Sequence, residues 1–208
     1  MSLLRYIRRG VAATLIAAAS LGAYAATDVE FDPFTASIEE NIQTPAVSNK
    51  QHTAVVTAMA QLVDALKNMG YTTTTVRNDE VVLVTITCAK LFAPNSSTLK
   101  ENAAKQLHPL VPYIKRSDNY KVVLAVHADN SGDASYSDQI TADRAAAIDE
   151  YFSRGTGAGE NSELIPYGLG SDEPVAPNEG IGNRATNRRV EIYFIPTKSY
   201  IEKAKNRK

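Results

Sequence analysis

Tryptophan is absent from the 208 residues, histidine occurs three times and cysteine once. A single cysteine rules out an intramolecular disulfide framework, so packing alone must hold the fold. That cysteine, Cys88, closes the apolar run VVLVTITC, where strand alternation buries a thiol and makes it a poor nucleophile. It also lies far from the place where acylation at an export signal would need it, so the expectation is that the chain is not a lipoprotein. His52, His108 and His127 sit on separate segments without ligand spacing, and we expect no metal and no cofactor. The glycines at 155, 157 and 159 lack a following Gly-Lys-Ser/Thr, so they read as a connection rather than a phosphate loop. Catalysis finds no support, because no nucleophile elbow and no pair of carboxylates can be placed together. No ladder of alternating ten-residue strands announces a transmembrane barrel. Positive charge is not in excess: the formal net charge is -1, and without Arg5, Arg8 and Arg9 the balance turns clearly acidic, which excludes nucleic acid as a partner.

What is present reads in order along the chain. MSLLRYIRRG followed by VAATLIAAASLG and Ala23-Tyr24-Ala25 has the basic, apolar and small-residue parts of a signal peptide, so residues 1–25 are expected to be a cleaved export signal. The uneven acidic stretch 26–46, with Pro33 and Pro45, reads as a flexible linker. From 47 to 69, Val55, Val56, Met59, Leu62, Val63 and Leu66 recur at helical spacing before Gly70. The apolar stripe of this extra N-terminal helix needs a surface to cover it. TTTTVRNDEVVLVTITC is a hairpin or one long strand interrupted at Asn78-Asp79, and together residues 47–79 form an N-terminal helix and strand or turn.

From residue 80 to 196 the pattern is strand, helix, strand, helix, strand, strand. A helix capped by Ser96, Ser97 or Thr98 buries Leu99, Ala103, Leu107, Leu110 and Val111. YKVVLAV is almost wholly apolar, as a strand covered on both faces is. A helix over 138–154 turns Ile140, Ala147, Ile148 and Tyr151 or Phe152 inward, and RRVEIYFIP closes the sheet. The fold class is α/β: an α+β sandwich with helices packed on a mixed four-stranded sheet. Residues 197–208 form a basic C-terminal tail, read as a solvated helical end.

One stretch carries chemistry. HADNSGDASYSDQITADRAAA ends a strand in His127 and Asp129, passes through a polar loop, and places Arg144 about two turns into the next helix. Strand end and helix start share one edge of the sheet, where open α/β sheets bind ligands. A fixed carboxylate can take an ammonium and a planar guanidinium a carboxylate, so the pair either bridges itself or suits the head group of an amino acid.

These residues, with LFAPNSSTL before them and Tyr167-Gly168, Pro174, Asn178 and NRATNRRVEI after, resemble the OmpA-like peptidoglycan-binding family over about 81–195. The family's central signature is matched by His127-Ala128-Asp129, Gly132, Tyr136-Ser137, Ile140-Thr141 and Arg144-Ala145; Ser137 and Ala93-Pro94-Asn95 depart from it. The resemblance implies an OmpA C-terminal-like domain that binds peptidoglycan without catalysis and anchors the envelope to the wall, with outer-membrane or envelope proteins as further partners. It implies that Asp129 receives an ammonium and Arg144 a carboxylate of stem-peptide diaminopimelate. Backbone N–H groups of 130–133, Asn130 and Gly132 among them, complete the pocket, and Ser137 and Arg188 line it. Phe92, His127 and Asn187 support it, and Arg189 faces outward or braces the sheet. The place implied is the periplasm, associated with the outer membrane. The competing readings are a scaffold that keeps the fold for protein contacts alone, and a cell-wall hydrolase.

Overall fold

A computed structural model describes residues 32–154 and 164–206. The expected export signal, the start of the linker, most of the glycine connection and the last two residues lie outside them.

Two serines begin the described chain's helices. Ser37 and Ser48 each accept the N–H of the third helical residue, Glu40 or Gln51, whose side chain takes the serine's own N–H in return. These reciprocal caps satisfy donors that a helix start otherwise leaves free. They set off α1 (Ile38–Asn41) and α2 (Asn49–Asn68). Gly70, at φ +88, ends α2, and the chain turns into β1 (Thr72–Val76). Arg77, Asn78 and Asp79 all take positive φ, which closes a hairpin onto β2 (Val81–Thr87).

The next segment is not one helix. It is broken into α3 (Cys88–Leu91), two short 3-10 turns at Glu101–Ala103 and His108–Leu110, α4 (Ala104–Leu107) and α5 (Val111–Ile114). Pro109 and Pro112 remove backbone donors at the starts of His108–Leu110 and α5 and interrupt the helix there, and the first 3-10 turn starts after Lys100 rather than at the Ser/Thr cluster. β3 (Tyr120–Val126), α6 (Ala134–Arg154), β4 (Leu164–Gly168), α7 (Gly180–Asn187), β5 (Arg189–Pro196) and α8 (Lys198–Lys205) follow.

The sheet runs β1-β2-β5-β3-β4, with only the β3–β4 pair parallel. It has five strands rather than four, because the Thr-rich arm pairs along its whole length with β2, whose edge would otherwise present unpaired backbone groups. β5 is the central strand, and all eight of its residues are buried.

Alternation divides the core in two. Val82, Val84, Ile86, Val122, Leu124, Val126, Val190, Ile192 and Phe194 face the helices, among them α2 through Val55, Met59, Leu62 and Leu66. The other face, with Val81, Leu83, Val123, Ala125, Tyr193 and Ile195, is covered by Ile42, with Ile38 packed beside it. Asn41 is fully buried and donates to Pro33 O (2.6 Å) and the Tyr167 hydroxyl (2.5 Å). The stretch expected to be a flexible linker is therefore packed from Asp32 onward, as a strap across the second face. Burying one isoleucine there contributes about 1.5 to 3 kcal/mol, which a free linker would forgo. The C-terminal end is corrected in the same way: Tyr200, Ile201 and Ala204 of α8 are buried, against α2 and the core.

α6 starts at Ala134, earlier than expected, because Asp133 Oδ1 accepts the N–H of Tyr136 and the hydroxyl of Ser135 (both 2.8 Å). Its buried face is Ser137, Thr141, Arg144, Ala145, Ile148 and Phe152, so Ile148 and Phe152 turn inward as expected, while Ile140 and Ala147 are only half-buried and polar residues share the face. Gly168 explains the difference. A Cβ there would come within 2.3 Å of Ala142 N, so β4 and α6 meet backbone to backbone with polar small residues between them.

Candidate functional site

The site forms where β3 ends, at the junction of three loops. His127 N–H bonds Arg189 O (2.9 Å), the last rung tying β3 to β5, and Ala128 N–H bonds Gly170 O (2.7 Å). Asp129 follows and turns back into the loop, where its Oδ1 accepts the Ser131 N–H (2.8 Å). Its Oδ2 forms an ion pair with Nη1 of Arg188, the residue that ends α7. The aspartate side chain is 3% exposed and the arginine side chain 40%. Burial raises the Asp129 carboxyl, but the Ser131 hydroxyl and N–H together with Arg188 outweigh it and hold the group below the usual carboxylate range.

Arg144 does not pair with Asp129. Buried on α6, it donates Nε–H to Ser96 O (2.9 Å) and lies over the Phe92 ring, 5.1 Å from its centroid. No carboxylate pairs with it among the described residues. Arg144, Arg188 and Arg189 all lie close enough to Cys88 to act electrostatically on its thiol. Burial still dominates there and pushes the thiol up to about 11, which keeps it protonated and inert. The Ala93-Pro94-Asn95 departure from the family pattern has a visible consequence. Asn95 takes φ +55, and the turn that it makes presents the Ser96 carbonyl to Arg144.

The other expected residues are placed as follows. Asn130 and Gly132 are exposed on the loop, and a Cβ on Gly132 would meet the Tyr136 ring at 3.2 Å. Ser137 is buried on α6 and lies against the loop at Gly132. Phe92 is the floor under Arg144. Asn187 is fully buried and clips the 173–178 loop: its Oδ1 accepts from Val175 and Ala176, and its Nδ2 donates to Ala176 O and Asn178 Oδ1. His52, a weighed metal ligand, instead bonds Glu80 Oε1 (2.8 Å), and no metal-binding cluster forms among the described residues.

A second polar cluster, largely unforeseen, lies behind the loop. Glu191 binds Arg189 Nε (2.7 Å) through one oxygen, and the Tyr193 hydroxyl (2.6 Å) and His127 Nε2 (3.2 Å) through the other. Burial raises the Glu191 carboxyl, but the bonds from His127, Tyr193 and Arg189 outweigh it and bring the group down to about 2. Arg189 is thus a brace and not an outward residue. The period of two in Arg189, Glu191 and Tyr193, at the register of Ala125↔Glu191, was the signal that could have revealed the cluster.

Known proteins share part of this chain's sequence and fold. The sequence profile of the OmpA family matches residues 91–188. That stretch, just under half of the chain, is similar to the OmpA family. Among its relatives are a putative lipoprotein YfiB of Escherichia coli, 30% identical over 50% of this chain and 64% of the relative, and an outer-membrane lipoprotein YfiB of Pseudomonas aeruginosa, 32% identical over 49% and 60%. This chain thus spans less than two thirds of either relative. Among solved structures, a cell wall anchor of the P. aeruginosa T6SS superposes with a TM-score of 0.55 at 25% identity, covering 66% of this chain and 96% of that one. The expectation that the chain is not a lipoprotein is overturned, since both YfiB relatives are named lipoproteins. That expectation rests on where Cys88 sits, and a buried core cysteine carries no information about membrane attachment.

Proposed function

We propose that the domain binds peptidoglycan non-covalently through the diaminopimelate of the stem peptide and so holds the cell envelope to the wall. Asp129 receives the ammonium and Arg144 the carboxylate of one amino acid end. One observation carries this reading: Asp129 is buried and ionised at the end of β3, and Arg144, on the helix that follows, has a guanidinium without a carboxylate partner among the described residues. A structural pair would have been closed on itself; here a cation is left for a ligand. Phe92 and the Ser96 carbonyl fix the plane of Arg144, which lowers the entropy lost when it grips a carboxylate. Exposed Asn130 and Gly132 put loop backbone beside the pair.

The test is a pull-down of the full chain on purified sacculi of the diaminopimelate type, with free diaminopimelate and free lysine as competitors. Diaminopimelate should compete and lysine should not, since lysine lacks the second carboxylate. Competition by both alike, or retention of Arg144→Ala at the wild-type level, would overturn the reading.

A further inference from the structure

Asp129 already has a cation. Its Oδ1 is taken by the Ser131 N–H and its Oδ2 by Arg188, and only 3% of the side chain is exposed. An incoming ammonium must therefore meet Arg188. Of the two partners, only Arg188 can yield. It is 40% exposed, it sits at the end of α7, and its backbone carbonyl is held by the Cys88 N–H (2.9 Å) while its side chain has no partner but Asp129 among the described residues. We propose that Arg188 is an exchangeable counter-ion: the ligand's ammonium takes its place on Asp129, and the freed guanidinium swings to receive a second carboxylate beside the one on Arg144.

The inference rests on the proposed function and sharpens it to a ligand charge. One acid and two guanidiniums face the ligand, since Arg189 is neutralised by Glu191 and Asp133, the loop's other acid, is committed to Ser135 and Tyr136. The matching ligand carries one ammonium and two carboxylates. A simple zwitterion would leave one arginine without a partner, and a charge-assisted hydrogen bond lost in this way weakens binding by about tenfold or more. The chemical class is a stem-peptide end whose diaminopimelate is acylated on one nitrogen and keeps both carboxylates free.

Calorimetry on the full chain decides it, with two probes. One is diaminopimelate acetylated on one nitrogen; the other is the same molecule with the carboxylate next to the acetylated nitrogen converted to an amide. Wild type should prefer the diacid by about tenfold or more, and in Arg188→Met that ratio should collapse to within about twofold. Carbon-13 titration of Asp129 in the protein alone should move up in Arg188→Met, which checks the pair independently of any ligand. Equal affinity of wild type for both probes, a preference that survives in Arg188→Met, or an unmoved Asp129 titration each overturns the exchange and leaves the proposed function standing. Wild-type protein that binds neither probe nor sacculi sinks the proposed function, and the exchange falls with it.

Discussion

Two charged clusters sit back to back at the end of β3, and they differ in what they leave unpaired. In the inner one, Glu191 is met by Arg189, Tyr193 and His127, all buried, and only His127 Nδ1 lacks a hydrogen-bond partner among the described residues. In the outer one, Asp129 pairs with Arg188, which is partly exposed, and not with Arg144. Internal compensation makes the inner cluster a structural part, since buried charges tolerate desolvation only when paired. Incomplete compensation leaves the outer one with a cation to spare, as the proposed receptor requires. The backbone bond from His127 N–H to Arg189 O joins them, so the closed cluster holds the open one in position.

The largest effect that would break this contrast is on binding. Asp129→Ala and Arg144→Ala should each weaken sacculus binding by about 2 to 5 kcal/mol, the cost of leaving a desolvated partner charge unmatched, and the double mutant should lose little more than either alone, because one ligand engages both. Pull-down isotherms on protein shown to be folded by circular dichroism would check this; a large drop in melting temperature with unchanged binding per folded molecule would make the outer cluster structural too.

Next comes Glu191→Gln, expected to cost about 3 kcal/mol of stability by denaturant unfolding, because Arg189 loses its buried counter-charge. Its pH dependence has a definite sign. The folded carboxyl titrates at about 2 against an ordinary 4.5, so its contribution is complete above about 4.5 and is lost as pH falls through 2. The wild-type acid limb across that window should flatten in Glu191→Gln; an identical limb would show that Glu191 is not held ionised.

Asn187→Ala should be smaller, about 1 to 3 kcal/mol, from the orphaned N–H groups of Val175 and Ala176. Hydrogen exchange at those two amides should rise. Arg154→Ala, which removes an exposed pair with Glu150 on α6 far from either cluster, should change stability by no more than about 0.5 kcal/mol and calibrates the others.

Periodicity and side-chain chemistry determined much of this protein without coordinates. The stripe of α2, the two-faced burial of β3, the alternation of β5 and the acid and arginine on one sheet edge are local patterns, and local patterns record which face of an element is apolar. The capping signatures Ser37-x-x-Glu40 and Ser48-x-x-Gln51 were equally local, and legible, though they fell in a stretch read as linker or beside it. Other features had no local signal. That 32–46 straps the second face depends on a fifth strand and on Tyr167 meeting Asn41 across 126 positions. That Asp129 pairs with Arg188 rather than Arg144 depends on the register of β3 against β5, which brings the end of α7 over the loop while Phe92 and Ser96 hold Arg144 aside. Sequence spacing specifies which charges reach an edge of the sheet; only the packed chain decides which of them meet, because pairing is set by distances between elements that no single element encodes.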